Sequence, residues 1–270
     1  MRGRKGGRVG AWLGALVAVG LVAAAALGAR AADAPKEPAI DPSAIAALKK
    51  MGTFLRSLQT VEVRSEMTTD DVLDSGQKVE LQGTVDMKVR RPNRMAIDVR
   101  SDRKNERIFY DGTTFTVFQP TAGYYASFPA PPTLAELVDV LEQKYGLDLP
   151  LADLFRLGTN EGQLAEIRGA SLVGESTIKG SACSHYAFHQ ADVDWELWIQ
   201  EGAQPLPRKL VITTTTEKTQ PQHTSVMTWN LSTQLEDAAF VFTPPANAQR
   251  IEFDVTKAGA APRDLKGGRP

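Results

Sequence analysis

The sequence predicts a mainly β fold with a few helices (α+β), built on one antiparallel sheet of about ten or eleven strands. Three observations predict it. From Val61 onward apolar and polar residues alternate, as in QKVELQGTVDMKVR (77–90): Val79, Leu81, Gly83, Val85, Met87 and Val89 take one side, and Lys78, Glu80, Gln82, Thr84, Asp86 and Lys88 the other. Such a strand has one oily face and one wet face, because successive side chains point to opposite sides of a sheet. The strands follow one another in meander order with turn residues between them, which implies antiparallel pairing. Helical spacing is confined to a stretch near the N-terminus and to residues 133–158.

The elements follow in order. Residues 1–31 hold five basic residues (Arg2, Arg4, Lys5, Arg8 and Arg30) and no acid. MRGRKGGR is a positive leader, the next run is apolar, and ARA ending at Ala31 fits the small-x-small cleavage rule. The apolar run is made of weakly hydrophobic Ala, Gly and Val and is followed by that cleavage site, which favours a removed signal peptide over a retained anchor. The expectation is therefore Sec export to the periplasm, cleavage after about Ala31, and no integral membrane span in the mature chain. Residues 32–40 are expected to be a flexible leader, 41–254 one domain, and 255–270 a disordered Gly/Pro-rich tail.

DPSAIAALKKMGTFLRSLQT (41–60) predicts an amphipathic helix, with Asp41 as N-cap, Pro42 at the first helical position, and a stripe of Ile45, Leu48, Met51, Leu55 and Leu58. Residues 61–90 read as two strands joined by a turn near Asp74–Gly76. Short strands follow at 94–102, 106–110, 114–120 and 124–129, with Asp111-Gly112 as a tight hairpin signal. In TLAELVDVLEQKYG (133–146), Thr133 and Glu136 have capping-box spacing, Leu134, Leu137, Val138 and Leu141 form a stripe, and Gly146 is a stop. LPLADLFRLG (149–158) reads as a second short helix with Leu151, Leu154 and Phe155 on one side. Strands then resume at 165–178, 181–190, 193–200, 208–217 and 223–236, and the fold closes with AAFVFTPPANAQRI (238–251).

Ten strands about 4.8 Å apart span roughly 48 Å. Three helices about 10 Å wide cover roughly 30 Å of that. Many strands and few helices leave two arrangements open: a fully packed α+β core, or a half-barrel that keeps an apolar cavity.

Three stretches carry a resemblance. RRPNRMAIDV…ERIFYDGTTFTVFQP (90–120) resembles the LolA-type periplasmic lipoprotein carrier in its Arg-Pro-Asn, Asp-Gly-Thr and Pro-ended aromatic strand, and AAFVFTPPANAQRI resembles the Phe-x-Phe-x-Pro-Pro ending of that superfamily. CSHYAFHQADVDWELWIQEGAQPLPRKLVIT (183–213) and LPLADL look more like one branch of it, an uncharacterised family of predicted periplasmic proteins. The resemblance implies a strongly curved antiparallel half-barrel wrapped over an N-terminal helix and one or two lid helices. It also implies that Arg91, at the arginine of the Arg-Pro-Asn motif, latches the lid by hydrogen bonds. On this fold Val85, Met87, Met95, Ile97, Leu137, Leu141, Phe155 and Trp195 are the expected cavity lining.

Other chemistry finds little support. With 31 basic and 32 acidic residues the net charge is −1, which argues against a nucleic-acid partner. Cys183 is the only cysteine, so no intrachain disulfide forms, and it reads as a small buried apolar residue. Cys183, His185 and His189 share a strand face, but about 6.8 Å separates successive same-face residues, so Cys183 and His189 stand too far apart for one metal ion. No nucleophile elbow, phosphate loop or dinucleotide fingerprint is present, so neither an enzyme nor a cofactor is expected. Trp195 and Trp198 fall on opposite faces, one inside and one outside. The expected function is a non-enzymatic carrier or chaperone for a lipid or the acyl chain of a lipoprotein. The alternative is an envelope sensor or protein-interaction module with a protein partner.

Overall fold

The computed structural model describes residues 39–145, 147, 149, 151 and 161–252. The chain divides into two compact units, Met1–Lys36 and Glu37–Pro270, and every described residue lies in the second. The signal peptide, Phe155 and most of the expected helix at 149–158 therefore lie outside the described residues.

Helix α1 spans Pro42–Ser57, with the Asp41 side chain accepting the Ser43 N–H at 2.8 Å and Pro42 in the first turn. Ala44, Leu48, Met51 and Leu55 are fully buried along one stripe. Burying a Leu or Met of this kind stabilises by about 1.5–3 kcal/mol, so the stripe docks α1 on the sheet. The first meander follows: β1 (Thr60–Val72), β2 (Lys78–Arg90), β3 (Arg94–Ser101), β4 (Asn105–Tyr110), β5 (Thr114–Gln119) and β6 (Tyr124–Pro129). Next come helix α2 (Leu134–Val140), a π-helical turn (Leu141–Tyr145) and a short helix α3 (Glu161–Ala165). The Thr133 hydroxyl accepts the Glu136 N–H, as expected of the cap, and donates to the Glu136 carboxylate. The second meander is β7 (Gly169–Ile178), β8 (Ser181–His189), β9 (Val193–Gln200), β10 (Pro207–Thr214) and β11 (Gln222–Asn230), and β12 (Gln249–Arg250) ends the described chain.

The twelve strands among the described residues form one unclosed sheet in the order β12-β6-β5-β4-β3-β2-β1-β11-β10-β9-β8-β7. Pairing is antiparallel throughout except for the short β12, which lies parallel to β6. The first meander runs outward from a seam where Glu62–Thr69 pairs with His223–Asn230, and the second starts at the far edge and runs back to that seam. Laid flat, β6 and β8 would stand about 43 Å apart. The sheet curves instead, and Phe128 of β6 and Phe188 of β8 join one apolar cluster with α1 and α2. The sheet is thus curved and unclosed, as expected of a half-barrel.

The closing segment does not add a regular strand where the Phe-x-Phe pattern falls. It crosses the outer face as a belt. Arg90 ties down its start by donating to Leu235 O at 2.7 Å, by pairing with Asp237, and by lying over the Phe240 ring. Phe240 is fully buried, and Phe242 sits among Phe109, Phe118 and Tyr125 with ring centroids 5.1–5.4 Å away. At the other side of the sheet the tip of the β7–β8 hairpin crosses the same face. There Ile178 packs on Cys183, Trp198 and Val211, and Lys179 Nζ reaches Glu66 of β1 at 2.7 Å.

Candidate functional site

The mouth of the half-barrel is organised by the turn between β2 and β3. The Arg91 N–H donates to Gln59 O at 2.8 Å and Arg91 Nε donates to Leu58 O at 3.1 Å. Leu58 is the C-cap of α1, and the last carbonyls of a helix have no intrahelical donor. The guanidinium supplies one. On the other side of the turn Pro92 O accepts the Leu134 N–H at 2.9 Å, which fixes the first residue of α2. One turn therefore joins the end of α1 to the start of α2. Burial first, and repulsion by Arg56 second, lower the pKa of Arg91 from its ordinary value.

The Asp-Gly-Thr turn packs against the Arg-Pro-Asn turn. Asp111 Oδ1 accepts the N–H groups of Thr113 and Thr114 and the Thr113 hydroxyl at 2.8–2.9 Å. Gly112 has φ +93°, and a Cβ there would lie 2.0 Å from Arg94 Nη1 and 2.7 Å from Asn93 Nδ2. The segment leading into α2 is held by Tyr110, whose hydroxyl donates to Pro131 O at 2.5 Å, and by Ala130, whose N–H donates to Thr113 O. These motif residues shape the mouth and present no reactive group.

Inside, Val85 and Met87 of β2, Met95 and Ile97 of β3, Leu137 of α2, Leu141 of the π turn and Trp195 of β9 are all buried in one cluster. Trp195 stacks on Phe188 at 4.0 Å and donates its Nε1–H to Gln190 Oε1 at 3.0 Å. Trp198 lies on the outer face, stacked on His185 at 3.9 Å beneath the Lys209 ammonium. The two tryptophans thus divide between the faces as the alternation predicts.

Two features of the interior escaped the sequence reading. Met67 and Met227 join Met51, Met87 and Met95 against the same core, so every methionine after Met1 packs on it. The parity of Met67 and Met227 with inward strand neighbours is the signal that was available. The inner face also turns polar beyond Met67. His223 Nδ1 lies 2.8 Å from Thr69 Oγ1 and His223 Nε2 lies 2.9 Å from Ser225 Oγ, across the β1–β11 seam. Burial lowers the His223 pKa.

Recesses among the described residues border this interior and its outer face. One of 190 Å³ opens where α1 meets β8 and β9, lined by Ala47, Lys50, Ser184, Tyr186 and Ile199 among others. A larger groove of 640 Å³ has a mixed lining, with Glu66, Gln82, Arg100 and Asp102 beside Met67 and Val226.

The Cys/His strand contains paired side chains and no assembled centre. His185 Nε2 lies 2.7 Å from Glu196, His189 Nδ1 lies 2.6 Å from Asp194, and Cys183 is buried, its pKa raised by desolvation. Among the described residues no three His, Cys, Asp or Glu side chains gather as a metal site, and no helix is long and apolar enough to cross a membrane.

Residues 44–254 match the family described as "Predicted periplasmic protein (DUF2092)". The chain belongs to this family. The periplasmic location expected from the N-terminal segment agrees with that description. For this DUF2092 chain no functionally curated protein gives a significant match. Solved structures that it is similar to include the lipoprotein LppX of Mycobacterium tuberculosis, at 13% identity over 73% of this chain and 100% of that one, with a TM-score of 0.46. Another is the MucA/MucB complex of Pseudomonas aeruginosa, at 15% identity over 77% of this chain and 63% of that one, TM-score 0.41. A third is a LolA superfamily protein of Nitrosomonas europaea, at 12% identity over 74% of this chain and 97% of that one, TM-score 0.37.

Proposed function

We propose that this protein is a periplasmic, non-enzymatic carrier or chaperone that takes a lipid, or the acyl chain of a lipoprotein, between its curved sheet and its helices. The observation that carries this reading is the methionine-rich interior. Met51, Met67, Met87, Met95 and Met227 line a wall shared with Val85, Ile97, Leu137, Leu141 and Trp195. Methionine is unbranched and polarizable, so a wall made of it repacks around guests of different shape more readily than one of branched residues. Each methylene moved from water into such an interior contributes about 0.8 kcal/mol, so a long chain binds without a specific polar contact. The recess beside α1 gives the chain a place to enter, and the helices move aside to admit it.

Arg91 sets how easily they move, because it holds the end of α1 through Leu58 O. A hydrogen bond from a charged donor is worth about 1.5–3 kcal/mol, so Arg91→Leu is expected to speed release of a palmitoylated peptide about tenfold or more while the circular dichroism spectrum is unchanged. An unchanged release rate removes Arg91 from the mechanism. The reading as a whole is tested by native mass spectrometry of the mature protein purified from its own envelope. A co-purified lipid mass is expected; apoprotein alone, together with failure to take up a palmitoylated peptide, rejects the carrier.

A second reading is favoured by one observation. Leu48, Met51, Leu55, Leu137 and Leu141 are fully buried by the protein's own side chains. A core this well filled by its own helices suits an envelope sensor or protein-interaction module that carries no cargo, and the same mass spectrum decides between them.

A further inference from the structure

The inner wall changes character along the seam. On β1 the inward positions run Val61, Val63, Ser65, Met67, Thr69, and on β11 they run Trp229, Met227, Ser225, His223. Val63 pairs with Trp229, Ser65 with Met227, Met67 with Ser225 and Thr69 with His223. Both strands therefore turn from apolar to polar in the same direction. Burial falls off the same way: Ser65 and Ser225 are buried, Met67 and His223 half-buried, and Thr69 exposed. A wall graded in this way fits a guest that is itself graded, with a hydrocarbon end and a polar end.

Ser65 stands where the change begins. It is fully buried, and among the described residues its hydroxyl has no hydrogen-bond partner. The polar groups that follow it along the seam are paired, Ser225 with His223 and His223 with Thr69. A hydroxyl buried without a partner costs stability, and an alanine of nearly the same size would avoid that cost. The cross-strand neighbours of Ser65 are Val85 and Met227, both in the apolar cluster, so the hydroxyl faces the interior. The wall beside it can yield. Gly83, the β2 partner of Met67, puts no side chain there, and Met67 and Met227 are unbranched and repack readily.

We propose that Ser65 is the residue by which the interior recognises an acyl ester. Its hydroxyl donates to the ester carbonyl, the hydrocarbon lies against Val63, Val85, Met87 and Met227, and the head group leaves past Ser225 and His223 toward solvent at Thr69. The assignment rests on the carrier reading and narrows it from any hydrocarbon to a chain attached through an ester. Glycerolipids and acylated proteins both carry that group.

The test compares 1-palmitoylglycerol with 1-hexadecylglycerol, which share a head group and chain length and differ in the ester carbonyl. An ester carbonyl accepts a hydrogen bond well and an ether oxygen poorly. In calorimetric titrations of the mature protein the ester is expected to bind about tenfold more tightly than the ether, and Ser65→Ala is expected to bind the two about equally. The same comparison between a dipalmitoyl lipopeptide and its dihexadecyl ether analogue separates the two sources: a preference in either series supports the proposal, and the larger one names the source. A second measurement needs no ligand. Ser65→Ala is expected to keep or raise the urea midpoint, because it removes a buried hydroxyl that bonds nothing, whereas a structural hydroxyl would lower it. Equal ester and ether affinities in both series, a preference that survives in Ser65→Ala, or a lowered midpoint would overturn the proposal. Failure to bind any of the four compounds rejects the carrier reading, and this inference with it; binding of ester and ether alike rejects this inference alone.

Discussion

Gly112 shows how much of the mouth depends on a single missing side chain. Its φ of +93° is one that L residues rarely adopt, and the side of Gly112 that a Cβ would occupy is filled by Arg94 and Asn93. Gly112→Ala is expected to cost about 1–3 kcal/mol of stability, read as a lower urea midpoint with an unchanged slope. A full-stability variant would mean that the turn relaxes freely. The Asp111-Gly112 pair was legible because turn chemistry is local: the Asp111 carboxylate bonds N–H groups two and three residues on. The facing of Trp195 and Trp198 was legible for a similar reason, since three residues along a strand reverses the face. Arg91 was legible as part of a motif, but its bond to Leu58 O was not. That partner lies 33 residues away and is chosen by where α1 ends.

Among the elements, the strands were read well and the closing segment was not. Alternation and turn residues mark β1 to β11 because each strand has one buried and one wet face. The twelfth strand has two residues and no period to detect. The belt before it is held by rings more than 100 positions earlier in the chain. Nothing near Phe242 in the sequence points to Phe109, Phe118 and Tyr125. Phe242→Ala removes all three ring contacts, and because Phe242 is only half-buried the expected loss is about 1–3 kcal/mol, below that of a core phenylalanine. A thermal or urea melt followed by far-ultraviolet circular dichroism measures it. A change below about 0.5 kcal/mol would show that Phe240 and the Arg90 tie hold the belt unaided. The α2 stripe was read correctly, but its continuation as a π turn at Leu141–Tyr145 was not, since the spacing of apolar residues changes little between the two helix types.

At the scale of the whole molecule, the two meanders depend on one seam. Thr69, His223 and Ser225 bond across or beside it on the inner face. Burial lowers the His223 pKa from 6.5, so the folded chain favours the neutral ring. As pH falls through 6.5 toward the lower folded value, the unfolded chain takes up a proton that the folded chain resists, and stability declines across that window. Denaturation midpoints at about pH 7.5 and pH 5.5 are expected to show this decline, and His223→Gln is expected to diminish it. An equal decline in the variant would place the titration elsewhere. The general plan of the sheet was legible from the meander order. The seam was not, because joining β1 to β11 requires knowing that β7 lies at the opposite edge of the sheet, so that the second meander runs back toward β1.

The seam also imposes an order of events on a nascent chain. A polypeptide delivered N-terminus first, whether from a ribosome or a translocation pore, presents β1 long before its second partner exists: Val63 waits for Trp229. During that interval β1 carries a bare ladder of backbone donors and acceptors, the kind of edge on which neighbouring polypeptides anneal. A chain stalled before Gln222 is arrested with that edge uncovered, and such fragments are the ones expected to aggregate or to be degraded first.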